Sequence, residues 1–305
     1  MSWALELDKK LKEYLPELQV LCDEPMSRYT SFRIGGPAKR MAFPKAAELV
    51  RLLELAETCG ARPLVIGKGS NLLVADEGLE RLVVNTSGMD RMELTGEPNT
   101  ILAEAGVSLA KLATFACKEG LTGLEFAHGI PGTLGGAVCM NAGAYDGEMK
   151  QVITDVTVYF PGEGVRVLSC EEMDFGYRHS LLSDRPEAVV VSAVMRLQAG
   201  EEPLIRGKMQ ELMGRRKASQ PLEYPSAGST FKRPVGHFAG TLIDQCGLKG
   251  LTVGGAQVST KHAGFVINIG GATCADVTEL IRQVQARVME EKGVWLEPEV
   301  RVVER

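Results

Sequence analysis

Gly129-Ile130-Pro131-Gly132-Thr133-Leu134-Gly135-Gly136-Ala137, followed by Asn141-Ala142-Gly143-Ala144-Tyr145, is the stretch on which the reading of this chain turns. Four glycines fall within eight residues, and small residues follow almost without a break. Packing alone rarely asks for that. Glycine lets a backbone pass through positive φ and approach a ligand closely, and exposed N–H groups in such a loop cradle an anion, typically a phosphate. Pro131 fixes φ inside the run, so something is expected to lie against this backbone. Gly67-Lys68-Gly69-Ser70-Asn71 has the same character, although that loop read alone is equally an ordinary tight turn. Together the two loops suggest one extended, phosphate-bearing ligand gripped twice.

Neither loop carries a nucleotide fingerprint. The 67–71 loop resembles the start of a dinucleotide motif, but the third glycine is absent. The segment that follows, Leu72-Leu73-Val74, reads as a strand where a Rossmann unit needs a helix. No Gly-x4-Gly-Lys-Ser/Thr is present either, so the P-loop reading also fails.

Around the loops the chain alternates helical and extended patterns. Ala46 to Cys59 has helical periodicity closed by Gly60, and Leu109 to Glu119 is a second helix closed by Gly120. Pro63 to Ile66, Leu82 to Val84, 152–160 and 188–197 read as strands, with a turn at Asp76-Glu77-Gly78. After a break at 199–203 come a basic helix from Ile205 to Ser219 and the segments Thr241 to Gln245 and Phe265 to Ile269. A helix Ala275 to Lys292 and a terminal strand Glu299 to Val303 complete the chain. The mixture is α+β, with the main boundary near residue 200.

The 305 residues exceed one ordinary core, so two or three domains are expected. A hydrophobic share of 45%, a charged share of 24% and a net charge of −5 are those of a soluble globular protein. No basic cluster interleaved with aromatics points to nucleic acid, and no apolar run of about 18 residues points to a membrane span. Met1 to Val20 reads as a short amphipathic helix, not a signal peptide. Seven cysteines, an odd number without a Cys-x-x-Cys pair, argue for reduced thiols in a cytoplasm and against a disulfide scaffold or metal site.

Eight motifs occur in one order: Tyr29-Thr30-Ser31-Phe32-Arg33-Ile34-Gly35-Gly36-Pro37-Ala38, then Gly67 to Val74, then Gly129 to Gly147, then Phe175-Gly176-Tyr177-Arg178-His179-Ser180. Pro225-Ser226-Ala227-Gly228-Ser229-Thr230-Phe231-Lys232, Ala239 to Gly250, Val258 to Phe265 and Leu296-Glu297-Pro298-Glu299-Val300-Arg301 complete the series. In this order, and over nearly the whole chain from about residue 20, they resemble the MurB family, UDP-N-acetylenolpyruvoylglucosamine reductases of bacterial peptidoglycan synthesis. The short stretch between Arg178 and Ser229 is similar to the subclass that lacks an extra tyrosine-bearing substrate loop.

The resemblance implies a PCMH or vanillyl-alcohol-oxidase-like FAD-binding fold. It places an N-terminal helix at 1–20, flavin subdomains at 21–87 and 88–199, and a UDP-sugar domain at 200–305. It implies FAD held by Tyr29, Ile34, Gly35, Gly36, Gly67, Lys68, Gly69, Ser70, Asn71, Leu72, Gly129, Ile130, Pro131, Gly132, Thr133, Gly135, Gly136, Asn141, Gly143 and Ala144. NADPH would reduce FAD and leave, and UDP-N-acetylglucosamine enolpyruvate would then enter the same site. Hydride would pass from flavin N5 to the terminal vinyl carbon, charge would move onto the carboxylate, and a proton would reach the adjacent carbon. A monomeric, cytoplasmic enzyme is expected, without a metal.

Such a reaction asks for a cation at the enolate, a positioned proton donor and rigid hydride geometry. Arg178 matches the family's catalytic arginine, whose guanidinium grips a carboxylate through two parallel donors. Ser229 matches the proton donor; a serine is a poor acid and needs activation, for which Lys232 or a water chain is a candidate. Glu299 matches the catalytic glutamate. Glu297 lies two residues away on the same face of an extended chain, so spacing cannot choose between them; the family pattern chooses Glu299. Tyr145, Lys217, Gly228, Lys232, Arg233 and His262 are the implied substrate contacts. Arg233 stands where the family usually has Asn, and an arginine there can reach a phosphate or carboxylate. From the residues alone, His262 equally packs, Arg216 and Lys217 equally form a solvated helix face, and His128 is structural or flavin-adjacent. Two rival readings are another sugar- or alcohol-oxidising flavoprotein of the same fold and a non-catalytic FAD or nucleotide-sugar module. Rapid reoxidation by oxygen would favour the first, and Arg178, Ser229 and Glu299 standing together argue against the second.

Overall fold

A computed structural model describes residues 2–304. The chain divides into two compact units that do not follow chain order. The first comprises Met1–Cys22, Arg40–Gly67 and Arg81–Arg215, and the second Asp23–Lys39, Lys68–Glu80 and Arg216–Arg305. Each unit has its own apolar core.

In the first unit, a five-stranded sheet runs in the order Gly164–Ser169, Ile153–Phe160, Val189–Arg196, Thr100–Glu104, Met92–Leu94. All its pairings are antiparallel. Strand Leu64–Ile66 pairs in parallel with Leu79–Asn85, Leu64 opposite Val83. Helix Ala46–Thr58 forms because leucines recur at helical spacing, and Leu49, Leu52, Leu53 and Leu55 are buried. Its first turn is closed by the Glu48 carboxylate, which accepts the Lys45 N–H at 2.8 Å. Helix Leu109–Lys118 starts on Ser108, whose hydroxyl accepts the Lys111 N–H at 3.3 Å, and Gly120 ends the region at φ +66°. The N-terminal helix is Trp3–Tyr14, with Ala4, Leu7 and Leu11 buried.

In the second unit, helix Cys274–Lys292 buries Val277, Leu280, Ile281, Val284 and Val288 at helical spacing. Two carboxylates satisfy its first N–H groups. Asp76 accepts those of Cys274 and Ala275 at 2.8 and 3.2 Å, and Asp276 forms a reciprocal box with Thr273. The helix stops at Gly293, in the left-handed conformation at φ +66°. Strand Arg301–Val303 runs parallel to Leu72–Val74 in the register Arg301–Leu72, Val302–Leu73, Val303–Val74.

Most expected elements appear within a few residues of their expected ends. The basic helix begins earlier, at Glu202, with Pro203 in its first turn, where a missing N–H costs nothing. The terminal strand begins only at Arg301, so Glu299 precedes the regular ladder. The segment Phe265 to Ile269 contains the strand Val266–Asn268. Helix Ala239–Gln245 covers the Thr241 segment.

Candidate active site

The glycine run lies in the first unit, where each glycine answers a different demand. A Cβ on Gly135 would stand 3.0 Å from the Ala105 Cβ, so this residue lets the short helix Leu134–Cys139 approach its neighbouring strand. A Cβ on Gly67 would stand 2.0 Å from Thr133 Oγ1, so the end of the 64–66 strand meets the long run directly. Gly136 is different: it is exposed, and beyond its own helix backbone the nearest described atom to its absent Cβ is Thr133 Oγ1 at 3.9 Å.

Backbone accounting makes the same distinction. Leu134 and Gly135 donate to the carbonyls of Val107 and Ala105, and Gly132 accepts from Leu109. The N–H groups of Gly132, Thr133 and Gly136 meet no acceptor among the described residues. Unpaired N–H groups on a loop and in the first turn of a helix take an oxygen from outside the chain, and a diphosphate supplies several. His128, just before the run, has a buried Nδ1 with no partner among the described residues. The 129–136 stretch therefore fits the diphosphate of the dinucleotide that the resemblance implies.

Asn141 and Gly143 serve the loop's own architecture. The Asn141 amide donates to Glu148 at 2.9 Å and to the Gly176 carbonyl at 3.0 Å, and its oxygen accepts from the Lys150 N–H at 2.9 Å. Gly143–Ala144 pairs with Gly147–Glu148 around the two-residue turn Tyr145-Asp146. Both turn residues have positive φ, +52° and +65°, a conformation normally given to Asn or Gly. Arg215, from helix Glu202–Ser219, lies over the Tyr145 ring at 4.7 Å.

Arg178 sits in a second strained turn of the same unit. Gly176 and His179 exchange backbone hydrogen bonds at 3.1 and 3.3 Å, leaving Tyr177 and Arg178 at the tip. Arg178 has φ +54°, where glycine is the usual residue. Its guanidinium lies 5.3 Å from the Tyr177 ring centre and reaches the Gly143 carbonyl at 3.5 Å. The arginine thus holds a conformation that costs of order 1 kcal/mol or more, with its guanidinium against the Gly143 carbonyl.

The second unit assembles the other candidates around Thr230. This buried residue donates its N–H to Gly264 at 2.8 Å, accepts the Val266 N–H on Oγ1 at 2.9 Å and accepts the Glu299 N–H on its carbonyl at 2.8 Å. Ser229 and Glu299 are thereby brought to one place. Ser229 is exposed, its hydroxyl has no hydrogen-bond partner among the described residues, and Gly228 beside it turns at φ +76° with open space around its α-carbon. Lys232 is committed elsewhere: its ammonium meets Glu297 at 2.6 Å. That ion pair also separates the two glutamates, since Glu297 is exposed and taken by Lys232 whereas Glu299 is half-buried. Arg233 stacks on Phe238 at 4.0 Å, beside a cavity of about 490 Å³ lined by Lys232, Arg233, His237, Trp295 and Glu297.

The first glycine loop continues into this unit. Gly69, at φ +57°, would place a Cβ 2.2 Å from the Tyr29 carbonyl, and the Ser31 N–H donates to the Gly69 carbonyl at 3.2 Å. Gly35 and Gly36 are needed for packing, because Cβ atoms there would stand 2.8 Å from Val74 Cβ and 2.2 Å from the Asp76 carbonyl. Ile34 is core, and the Tyr29 hydroxyl donates to Glu24 at 3.3 Å, with burial and then Glu24 raising its pKa. Lys68 is exposed, Ser70 is half-buried, and Leu72 pairs with Arg301. Lys217 is exposed, and its carbonyl accepts from Lys261 at 2.7 Å.

His262 is packed. Its Nδ1 accepts the Gly264 N–H at 3.1 Å, and its ring meets Phe265 edge-on at 5.0 Å. Burial lowers its pKa from an ordinary 6.5. The folded state thus binds fewer protons than the unfolded chain as the pH falls through that value, so this contribution to stability is full above it and declines below it. The urea midpoint is expected to drop more between about pH 7.5 and about pH 5.5 in the wild type than in His262→Asn, which removes the titrating ring; equal drops in both would refute this.

The sequence singles out Arg216 and Lys217 on the basic helix, whereas the residue that meets Tyr145 is Arg215. One residue turns a helix by about 100°, so adjacent basic side chains face different surroundings, and only the fold shows which one meets Tyr145. No group of three or more His, Cys, Asp or Glu placed to hold a metal occurs among the described residues, and no helix among them is long and apolar enough to cross a membrane.

Residues 38–169 match the FAD binding domain family and residues 220–303 match UDP-N-acetylenolpyruvoylglucosamine reductase, C-terminal domain. The chain is 48% identical over 298 residues to the UDP-N-acetylenolpyruvoylglucosamine reductase of Pediococcus pentosaceus, covering 97% of this chain and 98% of the relative. It is also 48% identical to that of Caldanaerobacter subterraneus subsp. tengcongensis, covering 96% and 97%. The crystal structure of the MurB reductase of Thermus caldophilus superposes with a TM-score of 0.79 at 38% identity, over 94% of this chain and 98% of that one. The α+β, FAD-binding architecture expected from the motifs is thus borne out, and the chain belongs to the MurB family of UDP-N-acetylenolpyruvoylglucosamine reductases, FAD-dependent oxidoreductases.

Proposed function

We propose that this chain reduces UDP-N-acetylglucosamine enolpyruvate to UDP-N-acetylmuramate, a cytoplasmic step in peptidoglycan precursor synthesis. NADPH is the electron source, and the two substrates bind in alternation. Residues 21–87 and 88–199 serve the flavin and 200–305 the UDP-sugar. When bound, FAD supplies the hydride relay between the nicotinamide and the enolpyruvyl double bond.

The chain's own residues do the rest. The N–H groups of Gly132, Thr133 and Gly136 hold the diphosphate of the cofactor. Arg178 binds the enolpyruvyl carboxylate through its fork and stabilises the charge that develops there. Ser229 delivers a proton to the carbon beside the carboxylate, and Glu299 assists through its carboxyl group. Lys232 is held by Glu297, so activation of the serine is assigned to Glu299 or to water.

One observation carries this reading: a non-glycine residue at φ +54°, Arg178, reaches the carbonyl of Gly143, seven residues beyond the stretch that fits a diphosphate. An anaerobic titration tests it. NADPH is expected to bleach the flavin bands of the holoenzyme, and the enolpyruvyl UDP-sugar to restore them without oxygen. Failure of the second step would remove the substrate while leaving the flavoprotein.

A further inference from the structure

Asn71 belongs to the loop expected to grip FAD, yet its side chain is turned to the chain's own C-terminal segment. Its Nδ2 donates to the main-chain carbonyl of Glu299 at 3.1 Å, and its own carbonyl accepts the Arg301 N–H at 3.0 Å. Arg301 opens the parallel pairing with Leu72. The ladder of regular strand bonds thus begins at 301, and the Asn71 amide extends it two residues back toward Glu299. On its other side the Glu299 N–H is taken by the Thr230 carbonyl at 2.8 Å. Both polar groups of the Glu299 backbone are therefore fixed, one by Asn71 and one by the residue after Ser229. A residue whose N–H and C=O are both pinned leaves its side chain little freedom beyond its own χ angles, which is how a supporting residue holds a reacting group within the tolerance that catalysis demands.

We infer that Asn71 is a positioning residue for Glu299 in the reduction of the enolpyruvyl substrate. This rests on the role proposed above for Glu299. An amide is the side chain that fits here, because a leucine of similar size has no donor and an aspartate presents only acceptors to a carbonyl that needs a donor.

The test separates positioning from cofactor binding and from general destabilisation. Asn71→Leu and Asn71→Asp holoenzymes are compared with wild type for bound FAD, flavin reduction by NADPH, and flavin reoxidation by the enolpyruvyl UDP-sugar. Both variants are expected to keep full FAD and to be reduced within about twofold of the wild-type rate. Reoxidation is expected to slow at least about tenfold at saturating substrate. In a Glu299→Gln background the Asn71 substitutions are expected to cost nothing further, because residues acting through one group are non-additive. Loss of FAD, equal slowing of both half-reactions, or full additivity with Glu299→Gln would each overturn the inference. Slow reoxidation in Glu299→Gln with unchanged reoxidation in both Asn71 variants overturns the inference alone. Unchanged reoxidation in Glu299→Gln removes the role of Glu299, and the inference with it.

Discussion

Arg178→Ala is expected to lower flavin reoxidation by the enolpyruvyl UDP-sugar about 10²–10³-fold, the usual cost of removing one donor from a site of developing negative charge. Flavin reduction by NADPH is expected to stay near the wild-type rate. Arg178→Lys keeps the charge but not the planar fork, so it recovers only part of the loss. Stability is expected to move independently of activity. Arg178 has φ +54°, where an alanine is strained and a glycine is not. Arg178→Gly should therefore be about 1 kcal/mol more stable than Arg178→Ala, while both are equally slow in reoxidation. Urea denaturation and stopped-flow reoxidation on the same three proteins check this. If reoxidation survives in Arg178→Gly, the arginine serves the turn and not the substrate.

Ser229→Ala is expected to lower the same half-reaction about 10²–10⁴-fold, the range for loss of a positioned proton donor. The hydroxyl makes no hydrogen bond among the described residues and the side chain is exposed, so the urea midpoint should be almost unchanged. Solvent deuterium gives a further readout. In D₂O the wild-type product should carry solvent hydrogen at the carbon beside the carboxylate, and the solvent isotope effect on reoxidation should change in Ser229→Ala. Wild-type rates of reoxidation in Ser229→Ala would move the proton donor elsewhere, with Glu299 the next group to examine.

Much of this molecule could be read from its residues, because the signals were local. Leucines at helical spacing and a closing glycine placed the helices at 46–58 and 109–118. The strand after Gly67-Lys68-Gly69-Ser70-Asn71 excluded a Rossmann unit, and the structure has a strand at Leu72–Val74. Ordered motifs pointed to the family and so to Arg178, Ser229 and Glu299. The strain at Arg178 and Tyr145 was not legible, because φ depends on the turn each residue closes and neither is a turn-forming type.

Sequence alone determined an α+β class, from the alternation of helical and extended periodicities, and the flavin and the candidate reacting groups followed from the resemblance to a known family that its ordered motifs carry. Only the tertiary structure decided which partner each group has. Glu297 and Glu299 are equivalent by spacing; an ion pair with Lys232 takes one, and Thr230 and Asn71 clamp the backbone of the other. Gly35 and Gly36, flavin residues by the resemblance, stand where Val74 and Asp76 leave no room for a side chain. Asn71, a flavin residue by the family resemblance, also donates its amide to the Glu299 carbonyl, 228 positions away in the chain. Hydrogen bonds over such separations are set by how elements pack, and no local pattern records them.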